Sequence, residues 1–341
     1  MDNKRNKRLL WQLPFLLLLI VGTILIIRQQ HAMPYQQNTG LVFGTVYHVT
    51  YQYDEDLQEE IEKELKMVDA EFSMFNDTST VARLNRGENL VLSPMFCEIF
   101  QLSERISKNT NGAFDITVAP LVNAWGFGFK NEEMPTAHQV DSLMASIGYQ
   151  HVHLKGNQLV KDKPNIMLDF SAIAKGWGVD IITRLLERHD IKNFMVEIGG
   201  EITTRGINPQ RVPWKIGVNK PTEDALNEEH ELQTILNVTD KSMATSGNYR
   251  NFYYKGGKKY AHTIDPKTGY PVQHSLLSAT VIADDCATAD AYATSFMVMG
   301  LEHAKQIVEN DKGLMAYFIY SNEKGQLEVW YSPSMESKIV K

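Results

Sequence analysis

Asp290 and Thr294 stand four residues apart in the stretch Ala287-Thr288-Ala289-Asp290-Ala291-Tyr292-Ala293-Thr294. On an α-helix that spacing stacks them on one face, one turn apart. One offers a carboxylate and the other a hydroxyl, both oxygen donors of the kind a hard cation such as Mg2+ accepts. A capped, alanine-rich helix with both side chains in solvent explains the same eight residues. Four other segments bear on the choice.

Asn111 to Leu121, running on to Gly128, is punctuated by Gly and Pro, and its glycines allow a ligand close to the backbone. A loop around a buried Trp125 is the plainer reading. Leu168 to Asp180 reads as an apolar strand ending in Asp169, then a helix beginning near Ala172. A helix N-terminus presents free N–H groups to a phosphate, and Lys175 would add charge; a solvated lysine on a capped helix is the competing reading. Val196 to Ile202 is a strand running into Gly199-Gly200, which is also a common hairpin signal. The last segment is Ala244 to Arg250, continued after Gly256-Gly257 by Tyr260 to Gly269. There Ile264-Asp265-Pro266 enters a tight turn. His262 reads as a strand residue just ahead of it, with an intrinsic pKa suited to a general base, although a lone strand histidine is commonly structural.

These segments need elements to hold them. Apolar residues at 57, 61, 65, 68 and 72 predict an amphipathic helix. Ser93-Pro94 opens a second helix towards Lys108, and 136–147 reads as a third. Further helices are expected at about 172–189, 286–299 and 301–310. Strands are expected over 41–53, 166–170, 194–198, 214–218, 276–283, 315–320 and 327–331. Without regular strand–helix alternation, this predicts an α+β fold with mainly antiparallel sheet and flanking helices. No G-x-G-x-x-G follows a strand and opens a helix, so a nucleotide would be held another way.

Lys4, Arg5, Lys7 and Arg8 precede an uncharged run from Leu9 to Ile27, and Arg28 follows. The run approaches the roughly 20 residues of a transmembrane helix. Basic residues ahead of it predict a cytoplasmic N-terminus and an exported remainder. A cleaved signal peptide shares the pattern, though its apolar core is usually shorter. Residues 1–28 are thus expected to be an anchor or a signal peptide, 29–40 a linker, and 41–341 one large domain. A net charge of −7 argues against nucleic acid as partner. Cys97 and Cys286 make no disulfide framework, and one bridge between them stays open.

Read together, GAFDITVAPLVNAWGFG, LDFSAIAKGWGVD, VEIGGE, ATSGNYRN, HTIDPKTGYPV and ADAYATSFMVMG resemble, in order, the ApbE family of flavin transferases. The likeness runs from about Val42 to Gly300. It implies a Mg2+-dependent enzyme with FAD in a cleft, which cuts the FAD pyrophosphate and moves FMN onto a threonine of a target flavoprotein, releasing AMP. The family's metal ligands fall on Asp290, Thr294 and the backbone carbonyl of Ala172. Its FAD contacts fall on Ala113, Phe114, Asp115, Asp169, Lys175 and Ile264. Its histidine falls on His262, the candidate base for the threonine hydroxyl, with Asp265 and direct activation by the metal as the alternatives. Glu201 stands where the family often has Asp, and Trp177 where Tyr is more usual; neither is expected to touch the chemistry. The resemblance also implies a membrane redox subunit as acceptor, met on the periplasmic side of a bacterial inner membrane by a single-pass enzyme. Two other readings stay open: an FAD pyrophosphatase with water as acceptor, and a non-enzymatic FAD-binding protein.

Overall fold

The computed structural model describes residues 3–128, 134–221, 231–248, 252–255 and 258–340. Helix α1 (Asn3–Ala32) opens the chain, with side chains described from Gln12 to Arg28. Its large apolar residues from Leu13 to Ile27 are exposed. Among the described residues, no helix is long and apolar enough to cross a membrane.

The linker expected over 29–40 is corrected. Residues 29–32 belong to α1, and β1 (Tyr35–Val42) forms an antiparallel hairpin with β2 (Thr45–Gln52). The polar run lacked strand signals because its polar side chains are satisfied by residues later in the chain: Asn38 accepts from the Tyr51 hydroxyl at 2.7 Å and donates to Asp56 at 2.8 Å. The two residues between α1 and β1 are tied down as well. Gln52 Nε2 donates to the Met33 carbonyl at 3.0 Å, and the Tyr53 N–H donates to that of Pro34 at 3.0 Å.

Helices α2 (Gln58–Phe72), α4 (Pro94–Asn109) and α6 (Ala137–Met144) form where periodicity placed them, with short α3 (Thr80–Asn85) and α5 (Ala119–Ala124) between. Ser93 caps α4 by accepting from the Phe96 N–H at 3.0 Å. That helix buries Phe96, Ile99, Phe100 and Ile106, each contributing on the order of 1.5–3 kcal/mol by leaving water. A small hairpin of β3 (Val152–Lys155) and β4 (Gln158–Lys161) follows. The strand expected over 166–170 joins no sheet. Ile166, Leu168 and Phe170 are fully buried, but the backbone is held by a side-chain amide, Asn85, which bonds both the N–H and the carbonyl of Leu168.

The rest of the chain supplies α7 (Ala174–Arg188), β5 (Phe194–Ile198), β6 (Glu201–Arg205), β7 (Lys215–Asn219), β8 (Leu232–Asn237), β9 (Ser242–Gly247), β10 (Phe252–Lys255) and β11 (Lys258–Ala261). Then come β12 (Leu276–Ala283), α8 (Cys286–Met299), α9 (Leu301–Asn310), β13 (Met315–Ser321) and β14 (Leu327–Tyr331). Eight strands make one sheet in the order β1-β2-β5-β6-β9-β12-β13-β14, and every neighbouring pair is antiparallel. The fold is α+β with mainly antiparallel sheet. Helix α7 packs on β5 and β6 and α8 on β9 and β12, while the two helices pack against each other. Cys97 and Cys286 are both free, the latter buried.

Candidate active site

Helix α8 is the keystone. Eleven of its 14 residues are buried, four of them alanines, so it lies inside the molecule rather than on it. Asp290 is therefore not solvated; it is 4% exposed. Its Oδ2 accepts from the Gly176 N–H in the first turn of α7, at 3.0 Å. Glycine is required at 176 because the helices touch there: a Cβ would stand 2.4 Å from the Cys286 carbonyl oxygen.

Lys175 and Glu201 complete a charged cluster. Gly199 and Gly200, with φ of 62° and 104°, make the tight β5–β6 turn that few other residues adopt. Immediately after it, Glu201 is 3% exposed and its Oε1 lies 2.6 Å from Lys175 Nζ. The other oxygen, Oε2, is buried without a hydrogen-bond partner. Burial works against the Lys175 charge, but the Glu201 and Asp290 carboxylates outweigh it and hold the ammonium above its usual range. Burial pushes Glu201 up to about 7, with Lys175 pulling down and Asp290 pushing up. Burial also raises Asp290, against Lys175 and the Gly176 N–H. The raised lysine and the raised carboxylates pull in opposite senses, and the count of charges reconciles them. One ammonium faces two carboxylates in a low-dielectric setting, so the lysine stays charged and one negative charge is uncompensated. A proton or a further cation must supply the balance.

All ten residues singled out in the sequence line a single cleft of about 1500 Å3: Ala113, Phe114, Asp115, Asp169, Ala172, Lys175, His262, Ile264, Asp290 and Thr294. Their situations differ. Asp115 accepts from the Thr117 N–H and hydroxyl at 2.8 and 2.6 Å and from the Tyr149 N–H at 2.8 Å. Burial raises its pKa and these donors pull it back; its oxygens shape the loop. Asp169 accepts from the Ser171 N–H at 2.7 Å, closing the turn that leads to Ala172. That turn delays α7, which begins at Ala174 rather than near 172. Ile264 is buried with Leu121 and Trp125. Trp125 is a core residue, its indole N–H donating to the Gly269 carbonyl at 2.8 Å.

His262 is not on a strand. It follows β11 at a bend, its ring edge-on to Phe127 at 6.4 Å between centroids. Asp265 spends its carboxylate on its own turn, accepting from the Lys267 N–H at 2.8 Å, and lines no part of this cleft. Residues 249–251 and 256–257 of the same segment lie outside the described residues. Glu201, expected to stand clear of the chemistry, forms part of the cleft wall and pairs with Lys175. Asp180 was also missed as a partner of α8. Its two oxygens accept from the Cys286 and Ala287 N–H groups, both at 2.8 Å. Among the described residues no group of three His, Cys, Asp or Glu side chains could hold a metal, and the donor set here is one carboxylate with neutral oxygens.

The sequence and the fold have known counterparts. The ApbE family model matches residues 43–318. The FAD:protein FMN transferase of Vibrio cholerae serotype O1 is 38% identical over 282 residues, covering 80% of this chain and 83% of that relative. The FAD:protein FMN transferase of Escherichia coli strain K12 is 36% identical over 294 residues, covering 84% and 82%. Among solved structures, the flavin transferase ApbE from Vibrio cholerae superposes with a TM-score of 0.80 at 34% identity, covering 89% of this chain and 100% of that one. Apo flavinyl transferase ApbE from Pseudomonas stutzeri gives 0.80 at 30% identity, covering 90% and 97%. With the match spanning most of the sheet, both central helices and every segment of the cleft, this chain belongs to the ApbE family.

Proposed function

We propose that this protein is an FAD:protein FMN transferase that links FMN to a threonine of an acceptor flavoprotein and releases AMP. The observation that carries this is the convergence of ten residues from four well-separated segments on one cleft, larger than the roughly 300–1,000 Å3 of an ordinary ligand pocket. Such a cleft has room for FAD and part of a second substrate.

The residues fit Mg2+. Its usual habit is one or two carboxylates with other oxygens, and the uncompensated negative charge beside Asp290, with the orphan Oε2 of Glu201, calls for a cation. Asp290, the Thr294 hydroxyl and the Ala172 carbonyl would hold it. Bound there, the ion supplies charge stabilisation as the pyrophosphate splits. Lys175, steadied by Glu201, adds a fixed positive charge to the same wall. Phosphoryl transfer asks little covalent work of the protein beyond such positioning.

In the transfer, the threonine oxygen bonds to the phosphorus of the FMN half. The bridging P–O bond breaks, and AMP leaves with that oxygen. His262 takes the hydroxyl proton; it lines the cleft, whereas Asp265 does not. A positioned base of this kind is worth about 10²–10⁴-fold, so His262→Ala should keep FAD binding and lose transfer by that factor. A loss of binding instead would make His262 a cofactor contact. Helix α1, with its exposed apolar run, is the membrane anchor in this reading, and the cleft faces the periplasm, where membrane redox subunits are the acceptors. Sharing one membrane raises the effective concentration of the partners.

Mass spectrometry of a candidate flavoprotein incubated with this protein, FAD and Mg2+ tests the proposal. A mass gain of one FMN on a single threonine is expected. AMP release with no labelled protein would turn the reading to FAD hydrolysis.

A further inference from the structure

A second groove, of about 760 Å3, opens beside the cleft and shares two wall residues with it, Ala113 and Val298. Val298 is the third member of a row on α8: Asp290, Thr294 and Val298 recur every four residues and all line the cleft. Each step advances about 6 Å along the helix axis. The row therefore leads from the proposed cation site to the mouth of the groove, roughly one turn beyond Thr294. The turn after His262 is the partition. Its inner residues, His262, Thr263, Ile264 and Pro266, face the cleft, while Asp265 and Lys267 line the groove.

The chemistry of the groove differs from that of the cleft. Four side-chain amides line it, Asn109 and Asn111 at the end of α4 and Gln306 and Asn310 on α9. Asn109 and Asn310 each donate one bond within the protein, to the Tyr292 hydroxyl and the Gln306 carbonyl, and keep their amide oxygens for a ligand. A side-chain amide carries both donors and acceptors, which suits the alternating N–H and C=O groups of an extended polypeptide. The charged lining, Asp265 and Asp311 against Lys267, is mixed in sign, so a pyrophosphate has little reason to settle there.

We infer that this groove seats the acceptor: an extended segment of the target flavoprotein lies along the amides and carries its hydroxyl past Val298 to the phosphate. This rests on the transfer reading and adds to it the path by which the protein substrate enters. The cost of aligning two large reactants is met in advance by such a seat.

The test uses the full-length enzyme with the flavin-free form of a redox-subunit domain whose threonine is the FMN attachment site. Gln306→Arg and Asn310→Arg put bulk and charge on exposed positions of α9 that line no part of the cleft. Flavin fluorescence of the labelled domain gives the transfer rate, and AMP release without acceptor gives FAD cleavage alone. The expected result is a fall of at least about tenfold in kcat/KM for the flavin domain, with KM for FAD and acceptor-free AMP release unchanged. Unaltered transfer overturns the inference. A raised KM for FAD overturns it too, assigning the groove to the dinucleotide. A wild-type enzyme that releases AMP yet labels no protein sinks the transfer reading, and the groove with it.

Discussion

The α7–α8 interface holds a buried aspartate at each end, and the two are spent differently. Asp180, on α7, gives both oxygens to backbone N–H groups that open α8. Asp290, on α8, reaches back to α7 through one oxygen and the Gly176 N–H. At the first end both carboxylate oxygens are bonded to backbone, and the interaction is architecture. At the second, Asp290 shares one lysine with Glu201, whose second oxygen has no partner. A buried acid whose bonds are complete marks a joint, and one with capacity left over marks a binding site.

The largest expected effect comes from the open end. Asp290→Ala should lower Mg2+-dependent AMP release by roughly 10²–10³-fold or more, with circular dichroism retained and a stability loss no larger than the roughly 1–3 kcal/mol of one stranded N–H, that of Gly176. Turnover near wild type would erase the contrast. The closed end should respond the other way. Asp180→Ala strands two buried N–H groups at the start of α8, a loss of about 2–4 kcal/mol in denaturant unfolding, while activity per folded molecule persists. Equal stability would mean that Asp180 is not the joint.

The smallest effect is a pH slope. The Glu201 carboxyl is raised by burial from 4.5 to about 7. A raised folded-state pKa means that its stabilising contribution is full below pH 4.5 and is lost as pH climbs through 7. Metal-free wild type should thus lose stability across that window relative to Glu201→Gln, whose side chain never ionises. Thermal midpoints at pH 4.5, 6 and 7.5 read this out, and parallel curves would count against the charge imbalance.

How much of this the sequence displays depends on the range of the interaction. Helices α2 and α4 were legible because their apolar stripe is local, and the Gly199-Gly200 turn because only such residues tolerate its backbone. Asp290 and Thr294 were legible as a pair one turn apart. Strand β1 was not, since its polar residues are satisfied by Tyr51 and Asp56 in later elements. The run 166–170 carries a strand's apolarity without a ladder, because burial comes from α4 and its surroundings while Asn85 replaces a partner strand. The role of Glu201 was hidden for a similar reason. Its partner lies 26 residues upstream on α7, and only the folding of β5–β6 against that helix brings them together.

Only Met33 and Pro34 separate α1 from β1, and both carbonyls are bonded to the strand side. Such a joint is a mount rather than a swivel. With α1 seated in lipid, as proposed, the catalytic cleft would ride at one altitude above the bilayer. Acceptors would then be sorted first by the height at which they display their threonine, before any residue around it is read.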